Sequence, residues 1–337
     1  MRYASDVDAL PRSRRTAAFE RRVATVLDRL VPAEARVLVA CSGGADSTAA
    51  LIAVARSGRA VTAAHFDHRL RPRAEGDADR AAVAALARTL NIALCGGEGS
   101  GASHAEDAAR GERYRWLATA ARAAGATHVV TGHTLDDQAE TVLFRLARGT
   151  GLAGAAGMHE TAPWPVPVEG SPALVRPLLG IARAEIEAYL AALTVEPRHD
   201  ATNDDPAYSR NRIRRRVLPE LRAINPRAAH VLADFAARAA RDDAALEQWA
   251  EQSFAAITNA EAERVVIDRT ALRALPPAVR ARLLRHAAAR FATPLESTHI
   301  EAAERAIRRS GTAIALPGAR LRITRGEVIL EIVLAPG

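Results

Sequence analysis

The sequence predicts an α/β protein: a parallel sheet with helices on both faces, followed by a mainly helical C-terminal part that ends in short strands. Three observations predict it. Short apolar runs recur in the first half, at Ala35–Cys41, Ala60–Phe66, Ile92–Cys95 and Thr127–Thr131, and each has the length of a buried strand. Helical spacing fills the intervals, so strand and helix alternate as in repeated βαβ units. Past Leu218 helical patterns dominate to about Arg309, and Thr312–Leu334 then alternates, with turn signals at Pro317-Gly318 and Arg325-Gly326.

Taken in order, residues 1–25 carry arginines around Pro11 and read as a flexible, solvated leader without the apolar core of a signal peptide. The first strand ends in Ser42-Gly43-Gly44, and a helix is expected from Asp46 to about Ser57. The second strand leads to an Ala-rich helix over Glu75–Leu90. The third is followed by a Gly-rich loop to Gly101. A helix over His104–Ala124 has Gly125 as its stop. The fourth strand feeds a helix over Leu135–Arg148. Thr161–Pro172 reads as a proline-rich surface loop, Leu174–Pro177 as an edge strand and Ala182–Ala192 as a helix. The expected organisation is an α/β domain over 26–217 and a mainly helical C-terminal domain over 218–337.

Composition excludes several chemistries. All 46 basic residues of the 337 are arginine. There is therefore no Schiff-base lysine, no pyridoxal-phosphate site, no lysyl-adenylate and no Walker A lysine. Cys41 and Cys95 cannot build a disulfide framework, a CxxC pair or a four-cysteine metal site, and they suit a reducing cytoplasm. No run approaches the ~18 apolar residues of a membrane span, so no membrane partner is expected. The net charge of +7 is unevenly spread. Residues 208–228 hold seven arginines and one acid, nearly the whole basic excess. Clustered arginine is rewarded by a phosphate backbone through counterion release, so this segment points to a polyanion.

Ser42-Gly43-Gly44-Ala45-Asp46-Ser47 lies after a strand and before a helix. Glycines let the backbone approach an anion, and the helix N-terminus supplies free N–H groups. A bare Gly-Gly turn would be a plain βα connection. The whole string, placed first in a βαβ array, points to nucleotide binding by residues 42–47. Asp46 beside a phosphate cradle implies an intervening cation, Mg²⁺. His65, Asp67 and Arg71 follow the second strand, where residues face the ligand crevice. Asp67 could share the metal with Asp46, and Arg71 could meet phosphate. After the fourth strand come Gly132, His133, Asp136, Asp137 and Glu140. First-turn acids suit a helix dipole, but three acids beside His133 also make a pocket for a cationic substrate or Mg²⁺.

The Ser-Gly-Gly-x-Asp-Ser string resembles the pyrophosphatase loop of ATP-pyrophosphatases, which cleave ATP to AMP and pyrophosphate and need no lysine in the loop. The further motifs narrow the resemblance. They are His65–Arg71, Ala109–Tyr114, Gly132–Thr141, Leu146–Gly154 with Met158, Arg176–Leu190, and Asp200–Asn203 with Tyr208–Arg214. Together they resemble the tRNA(Ile)-lysidine synthase family over about residues 33–219. The resemblance implies an adenine-nucleotide alpha-hydrolase-like fold and a two-step reaction. ATP adenylates C2–O of the wobble cytidine of a CAU-anticodon tRNA(Ile), and free L-lysine displaces AMP to give lysidine.

It also implies roles. Asp46, Arg113, His133, Asp137 and Glu140 would be catalytic, with ATP held by 42–47, His65, Asp67, Arg71 and Gly132. Asp46 and Asp67 would take Mg²⁺. Asp136, Asp137 and Glu140 would bind lysine. Asn203, Tyr208, Arg210, Asn211, Arg212, Arg214, Arg215 and Arg216 would bind tRNA, Arg210 being the one best suited to a buried carboxylate instead. Members of the family are often homodimers. The chain departs from the family pattern at Arg198-His199, where an aromatic residue is usual, and it is shorter than the longer members. The alternatives are a tRNA 2-thiocytidine synthetase, whose relatives use CxxC cysteines absent here, and a non-catalytic RNA-binding protein on a nucleotide fold.

Overall fold

The computed structural model describes residues 10–70, 72–101, 106–198 and 209–332. Candidate residues Arg71, Asn203 and Tyr208 lie outside them. The chain divides into two compact units, residues 1–237 and 238–337.

The first unit opens with α1 (Arg14–Leu30), β1 (Val37–Ala40), α2 (Ala45–Ala55), β2 (Val61–Asp67), α3 (Arg73–Thr89), β3 (Ala93–Glu98), α4 (Glu106–Ala123), β4 (His128–Val130) and α5 (Leu135–Ala147). A short α6 (Leu152–Ala155), β5 (Thr161–Ala162), β6 (Ala173–Val175) and α7 (Arg183–Ala192) follow. The sheet order is β3-β2-β1-β4-β6-β5, parallel except for β5. Side chains of β1 alternate between two cores. Val37 and Val39 pack with α1, α2, α3 and α7, whereas Leu38 packs with Tyr114, Leu117 and Ala121 of α4. Helices therefore cover both faces, as the alternating pattern requires.

Three expectations are corrected. The leader is helical from Arg14. Ser13 and Thr16 form a reciprocal cap, and Phe19, Val23 and Leu27, spaced by four, are buried against α2 and α7. Phe19 stacks on Tyr189 at 4.1 Å. Burying each such side chain contributes about 1.5–3 kcal/mol, which outweighs the arginine-rich flank. The strand near Leu174 is not an edge, because the two-residue β5, inside the expected proline-rich loop, pairs beyond it. The third strand runs on through Gly96 and Gly97, which pair with His65 and Phe66.

From Ser209 onward come α8 (Ser209–Arg212), a π-helical turn (Ile213–Val217), α9 (Leu218–Ile224) and α10 (Ala228–Ile257). Pro219 has no N–H for an i−4 bond, and its ring crowds that carbonyl, so the widened turn just before it has a local cause. Leu218 and Ala229 pack with Leu135 and Ala139 of α5. The first unit thus extends to Ala237, past the expected boundary at 217.

The second unit contains the rest of α10, β7 (Thr258–Ala260), β8 (Arg264–Asp268), α11 (Arg269–Ala274), α12 (Pro277–Ala289), α13 (Ser297–Ile307), β9 (Thr312–Leu316), β10 (Ala319–Ile323) and β11 (Glu327–Ile332). Its sheet is antiparallel, in the order β7-β8-β11-β10-β9. Two of its strands lie inside the stretch expected to be helical. Leu283, Leu284 and Ile307 fill the core behind it. No helix among the described residues is long and apolar enough to cross a membrane.

Candidate active site

The loop between β1 and α2 is tied in place by its own groups. The Ser42 N–H donates to Ser47 Oγ at 3.1 Å, Ser47 Oγ donates to the Gly44 carbonyl at 3.0 Å, and Thr48 Oγ1 donates to the Gly43 carbonyl at 3.2 Å. Gly43 has φ +94°, which only glycine adopts without strain. Gly44 caps α2 without a side-chain bond, so the N–H groups of the first turn stay available for an anion. Gly132, after β4, lies on this turn. A Cβ there would come within 2.9 Å of the Asp46 carbonyl carbon and the Ser47 nitrogen, so the close approach requires glycine.

Four acids line one wall of a cavity of about 1380 Å³ at the carboxyl end of the sheet, and each holds an arginine. Asp46 Oδ2 accepts from Arg183 Nη1, while its Oδ1 is buried without a partner. Burial, with the nearby Asp137 charge, pushes the Asp46 carboxyl up to about 6 even though Arg183 opposes the shift. Asp136 accepts from the Arg183 N–H at 2.8 Å and from Arg222. Asp137 Oδ2 accepts from the Thr134 N–H at 2.9 Å, closing a capping box, and its Oδ1 accepts from Arg214 Nη2 at 3.1 Å. Glu140, 3% exposed, takes Arg214 in a two-pronged pair at 2.6 and 2.9 Å. Burial pushes the Glu140 carboxyl up, and Arg214 limits the rise.

The opposite chemistry surrounds His133. Burial and then the charges of Arg176, Arg113, Arg110 and Arg210 hold its imidazole well below the usual histidine range, so it is neutral near pH 7. Its Nδ1 lies 2.8 Å from Thr131 Oγ1. Arg113 and Arg110 lie 5.1 and 5.0 Å from the Tyr114 ring centre. Arg176 donates to the His159 carbonyl at 2.7 Å. None of these four arginines pairs with a carboxylate among the described residues.

The cavity brings together most residues that the sequence singles out: Ser42, Gly44, Ala45, Asp46, Ser47, His65, Asp67, Arg113, Gly132, His133, Asp136, Asp137, Glu140, Arg210, Asn211 and Arg214. Gly43 shapes the loop from beneath. Arg212, Arg215 and Arg216 do not line it. His65 Nδ1 lies 3.0 Å from the Cys41 carbonyl. Asp67 Oδ1 accepts from the Arg69 N–H at 2.8 Å.

Arg214, expected at tRNA phosphates, is placed against Glu140 and Asp137, where the π-helical turn carries it to the acids of α5. Arg210, expected to suit a buried carboxylate, is exposed and lies 6.0 Å from the Phe144 ring centre. Sequence reasoning missed Arg183, Arg222, Arg110 and Arg198. Arg183 had a signal: it opens an expected helix inside the Arg176–Leu190 motif. Arg198 had none. Its N–H donates to the Gly43 carbonyl at 3.0 Å and its Nε to Asp79 at 3.0 Å, a long-range staple over the loop.

A glycine-shaped anion cradle at the first βα turn of a parallel sheet, with a buried acid at the helix start, defines a nucleotide-binding protein of the PP-loop class. The PP-loop domain family model matches residues 15–221, and a TilS substrate binding domain model matches residues 267–329. The chain is 42% identical to the tRNA(Ile)-lysidine synthase of Salinispora tropica over 92% of its own length and 93% of that protein. It is 38% identical to that of Thermobifida fusca, over 90% and 94%. The chain belongs to the tRNA(Ile)-lysidine synthase family, ATP-using ligases. Among solved structures it resembles the U34-tRNA thiolase NcsA of Methanococcus maripaludis, with a TM-score of 0.55 and 14% identity over 66% of this chain and 79% of that one. That likeness concerns the fold alone.

Proposed function

We propose that the protein ligates free lysine to C2 of the wobble cytidine in a CAU-anticodon tRNA(Ile), in two steps. In the first, the C2 oxygen attacks the α-phosphorus of ATP and pyrophosphate leaves. In the second, the ε-amine of lysine attacks C2 and AMP leaves. The observation that carries this reading is a single cavity that joins a phosphate cradle, residues 42–47, to a buried carboxylate pair, Asp137 and Glu140, already holding a cationic side chain.

The residues divide the work. The first-turn N–H groups of α2 receive the phosphates. The buried, unpartnered Oδ1 of Asp46 fits a magnesium ion, with Asp67 on the same cavity as the second carboxylate. Magnesium is commonly held by one or two carboxylates plus substrate phosphates, and here it would offset charge on the departing pyrophosphate. Neutral His133 and the arginines around it meet the negative charge that develops at the α-phosphate and the cytidine oxygen. Glu140 and Asp137 pair with the lysine ammonium in place of Arg214, and the raised affinity of Glu140 for a proton suits it to accept one as the amine attacks. Outside the cavity, Arg212 and Arg216 are exposed for tRNA phosphates.

The test supplies ATP, radiolabelled lysine and a CAU-anticodon tRNA transcript. Label should enter the RNA only when ATP is present. Pyrophosphate release without label in the RNA would keep the nucleotide reading and reject lysine as the second substrate.

A further inference from the structure

The phosphate loop carries a carboxylate and no cation. Its residues 42–47 are two serines, two glycines, an alanine and Asp46, and the chain has no lysine anywhere. A triphosphate on this turn, even with a divalent metal beside it, keeps excess negative charge close to Asp46. Loops of the lysine-bearing kind meet that charge with a side chain of their own. Here a cation must come from elsewhere in the chain.

Four arginines on the acid side of the cavity could supply it, and their present partners separate them. Arg222 is held by Asp136, whose side chain is 15% exposed. Arg214 is bound in two-pronged fashion to Glu140 and again to Asp137. Arg198 is held by Asp79, whose side chain is 6% exposed, and by a backbone bond to Gly43. Arg183 is different. Its guanidinium is half exposed, and it touches Asp46 through one nitrogen. Its other ion pair, to Glu187 at 3.1 Å, is with a carboxylate that is 62% exposed. Exposed pairs of this kind are weak and exchange readily. Its backbone is fixed independently, because the N–H donates to Asp136. Arg183 is thus an anchored residue with a movable head, resting on the one loop carboxylate that a metal would claim.

We infer that Arg183 is the phosphate-binding cation of this loop. When metal and nucleotide arrive, two cations on one carboxylate edge repel, and the guanidinium leaves Asp46 Oδ2. The anion within its reach is the triphosphate on the same turn. Arg183 then holds the β- and γ-phosphates, the part that departs as pyrophosphate, with its planar fork. No bond is made or broken by this residue. The inference rests on the ATP reading above and deepens it by assigning the loop's missing cation.

The test is equilibrium binding, without turnover, of α,β-methylene-ATP, AMP and inorganic pyrophosphate to the full chain, with magnesium and with EDTA. The wild type, Arg183→Gln and Arg183→Lys are compared. Wild type should bind the ATP analogue more tightly than AMP. In the Gln variant the ATP analogue and pyrophosphate should weaken roughly tenfold to hundredfold, with AMP affinity unchanged. The Lys variant should recover part of the loss, keeping charge without the fork. An unchanged ratio of ATP-analogue to AMP affinity in the Gln variant would overturn the inference, and so would an equal loss for both nucleotides. If the Gln variant only lowers the magnesium needed, Arg183 is merely a counter-ion of Asp46 and the inference again falls. Should the Gln variant unfold, the Lys variant alone decides: its ATP-analogue to AMP ratio must drop. A wild type that binds neither nucleotide refutes the ATP reading itself, a result distinct from all of these.

Discussion

The two walls of the cavity are balanced in opposite ways. On the acid wall every carboxylate already holds an arginine: Asp46 with Arg183, Asp136 with Arg222, Asp137 and Glu140 with Arg214. Around His133 the arginines hold no carboxylate among the described residues, and together with burial, the larger cause, they keep the histidine neutral. An internally compensated wall can receive a cation only by exchange, so it discriminates by how well the newcomer replaces an arginine. An uncompensated wall carries an electrostatic cost in the empty protein that an incoming polyanion removes. The difference supports the proposed division: lysine and metal on the acid wall, with the α-phosphate and the cytidine turned towards the basic one.

The largest effect should follow removal of the loop acid. Asp46→Ala should reduce tRNA-dependent pyrophosphate release by on the order of 10³-fold, because no other group on the loop can hold a metal. Wild-type release would remove Asp46 from the reaction. Next, Glu140→Gln should raise the lysine KM by roughly tenfold to hundredfold while leaving adenylation within a few fold, since the amide loses charge pairing with an ammonium. Asp137→Asn should act in the same direction but less, because an amide oxygen can still cap α5. If either variant breaks adenylation and spares the lysine KM, the acid wall serves the nucleotide.

The third effect separates the walls directly. The salt dependence of tRNA binding should flatten by about 0.7 log units for each phosphate that an arginine no longer neutralises. Arg110→Gln, Arg210→Gln and the exposed Arg212→Gln or Arg216→Gln should each flatten it by up to that amount. Arg214→Gln should leave the slope unchanged, because its charge is spent on Glu140 and Asp137. A slope that responds to Arg214 as strongly as to Arg210 would erase the distinction.

The smallest effect concerns pH. The Asp46 carboxyl sits at about 6 in the folded chain against 3.8 for the ordinary group. A raised carboxylate binds its proton more tightly folded than unfolded, so it opposes stability above pH 6, and the penalty disappears as pH falls through 6 towards 4. Asp46→Asn should therefore raise the melting temperature of the unliganded protein by a few degrees near pH 7.5 and by little near pH 4. Equal shifts at both pH values would mean that Asp46 is not raised.

Much of the catalytic half was legible from sequence because its signals are local. The turn at Ser42–Ser47 needs its glycines where it bends, and the acids at Asp136, Asp137 and Glu140 belong to one helix start. What was not legible is pairing across long separations. Arg183 reaches Asp46 over 137 positions and Arg214 reaches Glu140 over 74, and no periodicity encodes either. Arg214 looked like its neighbours in a basic run. Only the π-helical turn before Pro219 tells it apart, and a widened turn leaves no pattern in hydrophobic spacing. The helical start at Arg14 was hidden for another reason: the buried stripe of Phe19, Val23 and Leu27 is interrupted by arginines and crosses the expected boundary at residue 25. Strand β7 was missed because a three-residue strand cannot be told from a helix end by composition, and β8 because its short apolar run, Val265–Ile267, set between helices, reads as part of either one.

Mass spectrometry of nucleosides, from a CAU-anticodon tRNA incubated with the protein, ATP, Mg²⁺ and lysine, tests the central claim most directly. The expected product is a nucleoside heavier than cytidine by one lysyl residue, at the wobble position alone, absent when ATP or lysine is omitted. Unmodified cytidine at that position, with ATP cleaved all the same, would contradict it.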